Sequence, residues 1–184
     1  MPYREISIKD NYYHLYNIGN NFEKIFFEKK NYVFFLNRII KYFDNRIDIV
    51  AYVLMPNHFH FIIKPKENGF LEKAMQKFST SYTKVINLRR GRVGHLFQGR
   101  YKIKLVPENN YLLHLSRYIH LSPVRKGLTK TPIEYEYSSY NVYVNKTKYS
   151  FIKNSIVLEQ VENYEEFVLS FQENQSYFVK ELLF

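Results

Sequence analysis

The sequence predicts an α+β fold: an antiparallel β-sheet with helices packed on one face of it. Three observations predict it. Short runs rich in Tyr, Ile, Val and Phe alternate with longer stretches of helical period. One pair of such runs, Ile47 to Met55 and His58 to Lys64, is joined only by Pro56-Asn57, a hairpin-short connection. Two amphipathic stretches then interleave with the β-like runs, which is the layout of helices laid on a sheet.

Element by element, Tyr12 to Ile18 is dense in β-formers and reads as a first strand, closed by the turn residues Gly19-Asn20-Asn21. Tyr32, Phe35, Leu36, Ile39, Ile40 and Phe43 recur at three- and four-residue steps, the apolar stripe of a helix that Asp44-Asn45-Arg46 ends. The Ile47 to Lys64 hairpin follows. A second helix carries Leu71, Ala74, Met75, Phe78, Tyr82, Val85 and Ile86 on one stripe, with Tyr82 as a core residue, and runs out into Arg89-Arg90-Gly91-Arg92. Arg100 to Val106 sets Tyr101, Ile103 and Leu105 against Lys102 and Lys104, a half-exposed strand. A third helix begins after Pro107 with Asn109-Asn110 as its cap and is expected to stop at about Ser122, because Pro123 disfavours helical geometry at the residue before it. Residues 1–128 form the main domain on this reading. Residues 129–184, with a Tyr-rich stretch from Tyr135 to Val144 and a helix around Tyr164 to Phe171, form a C-terminal extension.

Charge narrows the partner. The chain has 27 Lys plus Arg against 17 Asp plus Glu, a formal net charge of +10. Such a surplus favours a polyanion, nucleic acid foremost. With 18 Tyr and 16 Phe but no Trp, there are rings enough for a core and some to stack on unpaired bases. The absence of cysteine excludes disulfides and thiolate metal sites and suits a reducing, cytoplasmic setting. Met1 to Glu5 lacks the apolar run of a signal peptide, and no stretch approaches the roughly 18 apolar residues of a membrane helix. Neither a Walker pattern nor Gly-x-Gly-x-x-Gly occurs, so no nucleotide cofactor is expected.

Two patterns could carry chemistry. In Pro56-Asn57-His58-Phe59-His60-Phe61, side chains two apart share a strand face, so His58 and His60 stand side by side, roughly 7 Å apart along the strand. Two imidazoles so placed can converge on one divalent ion; ordinary strand histidines are the alternative that spacing leaves open. On the third helix, Leu112, Leu115 and Ile119 form the apolar stripe, and Tyr111, His114, Tyr118 and Ser122 lie beside it. That polar face meets either a site on the sheet or solvent.

Three segments in order resemble the single-tyrosine HUH transposases, the REP-associated tyrosine transposases in particular. They are Tyr52-Val-Leu-Met-Pro-Asn-His-Phe-His60, Gly91-Arg-Val-Gly-His-Leu-Phe-Gln-Gly-Arg-Tyr101, and Leu115-Ser-Arg-Tyr-Ile-His-Leu-Ser-Pro-Val-Arg-Lys-Gly127. Tyr13 to Asn17 with Gly19-Asn20-Asn21, and Tyr137 to Tyr140, are lesser matches, and the resemblance covers roughly residues 12 to 140. It implies a ferredoxin-like HUH-type domain in which His58 and His60 bind one Mg²⁺ or Mn²⁺ and Tyr118 is the nucleophile. The implied reaction cuts and rejoins single-stranded, hairpin-containing DNA through a covalent 5′-phosphotyrosine. Where the family carries a third ligand, commonly Asn or Gln one turn after the tyrosine, this chain has Ser122, leaving His120, a water or another residue to complete the shell. Its first turn has Ile18 where the family often has Arg. Arg89, Arg90, Arg92, Gln98, Arg100 and Lys102 are the expected DNA contacts, with Arg125 and Lys126 following the tyrosine. Relatives occur as monomers and as homodimers. The alternative function is a DNA- or RNA-binding domain that keeps the fold without cleavage.

Overall fold

The computed structural model describes residues 6–106, 109–145 and 151–171. Its centre is a four-stranded antiparallel sheet in the order β2-β3-β1-β4, made of β1 (Tyr13–Ile18), β2 (Ile47–Met55), β3 (His58–Pro65) and β4 (Lys102–Leu105). The helices are α1 (Lys29–Phe43), α2 (Phe70–Arg90) and α3 (Asn109–Arg125), followed by the short α4 (Tyr140–Val144), α5 (Ser155–Leu158) and α6 (Tyr164–Leu169). None of the described helices is long and apolar enough to cross a membrane. The expected cap at Asn109 falls among side chains outside the described residues, as do 146–150 and 172–184 of the C-terminal extension.

Helices cover both faces of the sheet, not one. Phe59 and Phe61 of β3 face α1 and α2, where Phe35 sits with its ring centroid 4.7 Å from Phe78, 4.9 Å from Tyr82, 5.1 Å from Phe59 and 5.0 Å from Phe26. Edge-to-face pairing of this kind adds to the area that the rings bury. Tyr82 is wholly buried, as its stripe requires, and its hydroxyl donates to the Ile25 carbonyl at 2.9 Å. The alternate side chains of β2 and β3 face α3, which packs on these two strands. Its stripe, Leu112, Leu115 and Ile119, is buried. Period alone told which side of α3 is apolar, but not which face of the sheet would receive it.

The third helix also runs past Ser122, through Pro123 to Arg125. Proline lacks an N–H, so its place costs the helix one bond to the turn before it, and a closing motif follows immediately. Gly127, at φ +67, donates to Val124 O at 2.9 Å, and Leu128 N donates to Pro123 O at 2.9 Å. These are the paired bonds of a Schellman ending, in which glycine takes the left-handed residue at no steric cost.

The described residues of 129–145 and 151–171 hold that helix against the sheet. β2 lies at the sheet's border, and its outer edge is met by the returning chain: Leu54 N donates to Tyr137 O, Ser139 N to Tyr52 O and Lys153 N to Ile49 O. Tyrosine hydroxyls take further β2 carbonyls, Tyr135 at Leu54 (2.7 Å) and Tyr143 at Val50 (3.0 Å), the latter within an irregularity of the ladder. Tyr135 and Tyr143 therefore satisfy buried backbone of β2. His120, fully buried on α3, ties the layers together, with Nδ1 2.8 Å from the Tyr164 hydroxyl and Nε2 2.8 Å from Ser139 Oγ.

Two outcomes follow. Burial holds His120 down to about 3 from its ordinary 6.5, so between those values the unfolded chain binds the extra proton and stability rises with pH. The contribution is complete above the ordinary value and is lost as pH falls through the folded one, with a slope of up to about 1.4 kcal/mol per pH unit. His120→Gln should flatten the acid side of a urea-denaturation series; an unchanged slope would contradict this. Gly19, after β1, has no room for a Cβ, which would meet Glu23 O at 2.0 Å. Gly19→Ala is expected to cost more than about 2 kcal/mol, read as a lowered melting temperature.

Candidate active site

On β3 the two-residue alternation sets His58 and His60 on the face toward α3, with ring centroids 5.1 Å apart. The turn between β2 and β3 fixes the first ring. Asn57 donates from Nδ2 to the Phe22 carbonyl at 3.1 Å, and its Oδ1 lies 2.6 Å from His58 Nδ1. A carbonyl only accepts, so the amide nitrogen must be the atom facing Phe22 and the amide oxygen the one facing His58. His58 is therefore protonated on Nδ1, and its lone pair is on Nε2. His60 lies deeper, its Nδ1 2.8 Å from Nε2 of the fully buried His14 on β1. For His60 to offer Nε2 as well, its Nδ1–H must be the donor of that bond. Burial, then Lys126, brings His58 down to about 4. Burial, then His14 and His58, holds His60 well below the ordinary histidine range. Both rings are neutral at pH 7, as ligands must be.

Tyr118 comes from α3. Its ring stands edge-on to His60 with centroids 6.2 Å apart, and the Arg125 guanidinium, about two turns further along the same side of the helix, lies 5.2 Å from the ring centroid. Burial raises the phenol above its ordinary range, with Arg125 working against that rise. Tyr118, His58 and His60 line one open cleft of about 580 Å³, shared with Tyr16, Asn57, Phe22, Gln98, Lys102 and Lys126. The register explains the row: Tyr16 is opposite both His60 and Lys102, so the basic side chain of β4 shares a sheet face with the histidine two strands away.

The expected DNA contacts separate into two groups. Gln98 and Lys102 line the cleft. Gln98 is held there because the chain at Leu96 to Gln98 pairs with the end of β1, with Gln98 N donating to Ile18 O and Asn20 N to Leu96 O. Arg89, Arg90 and Arg92 lie at the far end of α2, where Arg92 pairs with Glu23 at 2.8 Å and both Arg90 and Arg92 lie over the Phe27 ring. Arg100 is exposed just before β4. Of the side chains named as a possible third ligand, neither Ser122 nor His120 is in the cleft lining: Ser122 Oγ donates to its own helix at Tyr118 O, 2.8 Å, and both His120 nitrogens are taken. His114, on the same polar face, instead meets Arg117 at 2.8 Å and the ring of Phe167. Among the described residues, no group of three His, Cys, Asp or Glu gathers at one point. The residues that could hold one divalent ion are His58 and His60, both engaged through Nδ1, with Gln98 lining the same cleft. The supporting roles of His14 and Asn57 were not read from the sequence, since they depend on strand register and turn geometry.

The chain matches the family described as Transposase IS200 like over residues 7–122, well over half its length. Among solved structures, a REP-associated tyrosine transposase bound to a REP hairpin aligns with a TM-score of 0.67 at 20% identity, covering 83% of this chain and 97% of that one. At that identity the likeness establishes a common fold. A candidate transposase from Deinococcus radiodurans aligns more loosely, with a TM-score of 0.41 at 13% identity over 65% of this chain and 92% of that one. No curated protein matches the chain. With a family match that spans the sheet, the histidine pair and the tyrosine helix, the chain belongs to the IS200-like transposase family.

Proposed function

We propose that this transposase cuts and rejoins single-stranded, hairpin-containing DNA with Tyr118 as nucleophile and one Mg²⁺ or Mn²⁺ held by His58 and His60. The observation that carries the reading is the meeting of Tyr118 with both imidazoles in one open, lysine-lined cleft. Lys102 and Lys126 supply positive charge to a phosphodiester, whose own negative oxygens would otherwise repel a nucleophile. When bound at the histidines, the divalent ion adds charge stabilisation at a non-bridging oxygen. Tyr118 Oη forms the new bond to phosphorus, the P–O3′ bond breaks, and the strand leaves with a 3′-hydroxyl. The phenol proton passes to cleft water, and Arg125 over the ring favours the phenolate. The phosphotyrosine conserves the bond energy for a later 3′-hydroxyl, so rejoining needs no nucleotide.

A second reading, a binding domain without cleavage, draws on Ser122, whose hydroxyl is spent on its own helix. Gln98 answers it in part, since its side-chain oxygen is of the kind that Ser122 does not supply and it lines the same cleft.

The two readings separate on one gel. Wild-type protein incubated with a stem-loop oligonucleotide bearing single-stranded flanks and Mn²⁺ should give a denaturation-resistant protein–DNA band. Tyr118→Phe should lose the band and still bind the DNA. His58→Ala and His60→Ala should each weaken Mn²⁺ binding in calorimetry by at least about tenfold. Binding by the wild type with no band under any divalent ion would leave only the second reading.

A further inference from the structure

The rim of the cleft carries a side chain that the chemistry above does not use. Phe22 lines the cleft yet is 68% exposed, and its backbone is left-handed, with φ +60. Bulky residues avoid that region, and the conformation survives only where the surroundings impose it. Here they do. Phe22 N donates to Gly19 O at 3.0 Å, its carbonyl accepts from Asn57, Gly19 N donates to Asn57 O at 2.7 Å, and Gly19 itself has no room for any side chain. A glycine or asparagine would sit at Phe22 with less strain, and a polar side chain would lose nothing by its exposure. In the same cleft, Lys102 and Lys126 are exposed. An exposed ring next to cations that track a backbone is the arrangement that holds single strands, because every base has a face to stack on.

We propose that Phe22 is a stacking platform for one unpaired nucleobase next to the phosphate that enters the cleft. The inference rests on the reading of the cleft as a DNA site and adds to it the subsite that seats the strand. Through Asn57, which holds both the Phe22 carbonyl and His58 Nδ1, the platform and the histidine pair are fixed relative to one another by a single amide.

The chain has no tryptophan, so Phe22→Trp introduces a sole tryptophan at the rim, excited at wavelengths the tyrosines do not absorb. Saturation with an oligonucleotide bearing single-stranded flanks should quench its fluorescence, and the same stem-loop without flanks should not. Phe22→Ala should bind the flanked oligonucleotide about tenfold more weakly than wild type. One abasic position in the flank should cost the wild type a similar factor and cost Phe22→Ala nothing more. Phe22→Gly should melt no lower than wild type, which separates loss of stacking from loss of fold. Unquenched fluorescence with DNA bound, or equal affinities of wild type and Phe22→Ala for the flanked DNA, would overturn the platform. A wild-type covalent band alongside that result would leave the cleavage proposal intact; quenching without any band would do the reverse.

Discussion

The molecule depends on how the outer edge of β2 is satisfied. That strand is buried almost throughout and lies at the border of the sheet, so its outward amides and carbonyls have neither a fifth strand nor bulk water to meet them. An unpaired buried backbone group costs about as much as a lost hydrogen bond. The chain after α3 answers this with its own backbone at Tyr137 and Ser139 and with tyrosine hydroxyls. Because the same segment grips α3 through His120, Ser116 and Tyr164, satisfying the edge also fixes where the tyrosine helix sits. Tyr118 meets the histidines as a consequence of a backbone requirement formed on the far side of that helix.

Within the cleft, polarity is arranged so that the imidazoles stay neutral while positive charge gathers around them. Burial removes the protons from His58 and His60, and Lys126 reinforces this at His58. The lysine reaches the cleft because the helix ends where it does: the Gly127 turn stops α3 directly after Arg125 and Lys126. Arg125, the last helical residue, lies over the Tyr118 ring, and Lys126, the next, lines the cleft with the histidine pair.

Much of this was legible in the residues. The hairpin around Pro56-Asn57, the stripe from Tyr32 to Phe43 and the sidedness of the His58–His60 strand all follow from short-range periodicity, which the chain encodes locally. What stayed hidden is long-range. Nothing in the spacing of Leu112, Leu115 and Ile119 says that they cover the sheet face opposite α1 and α2. His14 and His60 are 46 residues apart and become partners only through the β1–β3 register. The resemblance left Ser122, His120 or a water as the third ligand, but the Ser122 hydroxyl is claimed by its own helix and both His120 nitrogens by residues after it, partnerships that the spacing does not display. Pro123 misdirected the helix boundary, since its bias against helical geometry at the preceding residue is a tendency that the helix overrides here.

The border opposite β2 has a different character. β4 has four residues, two of them lysine, and a strand so short and charged is a poor template for another chain's backbone. Growth of the sheet from copy to copy is therefore discouraged on this side, just as the returning segment blocks it on the other. Among the described residues, neither border of the sheet therefore offers a long bare strand, and the lysines of β4 stand on the side that carries the cleft.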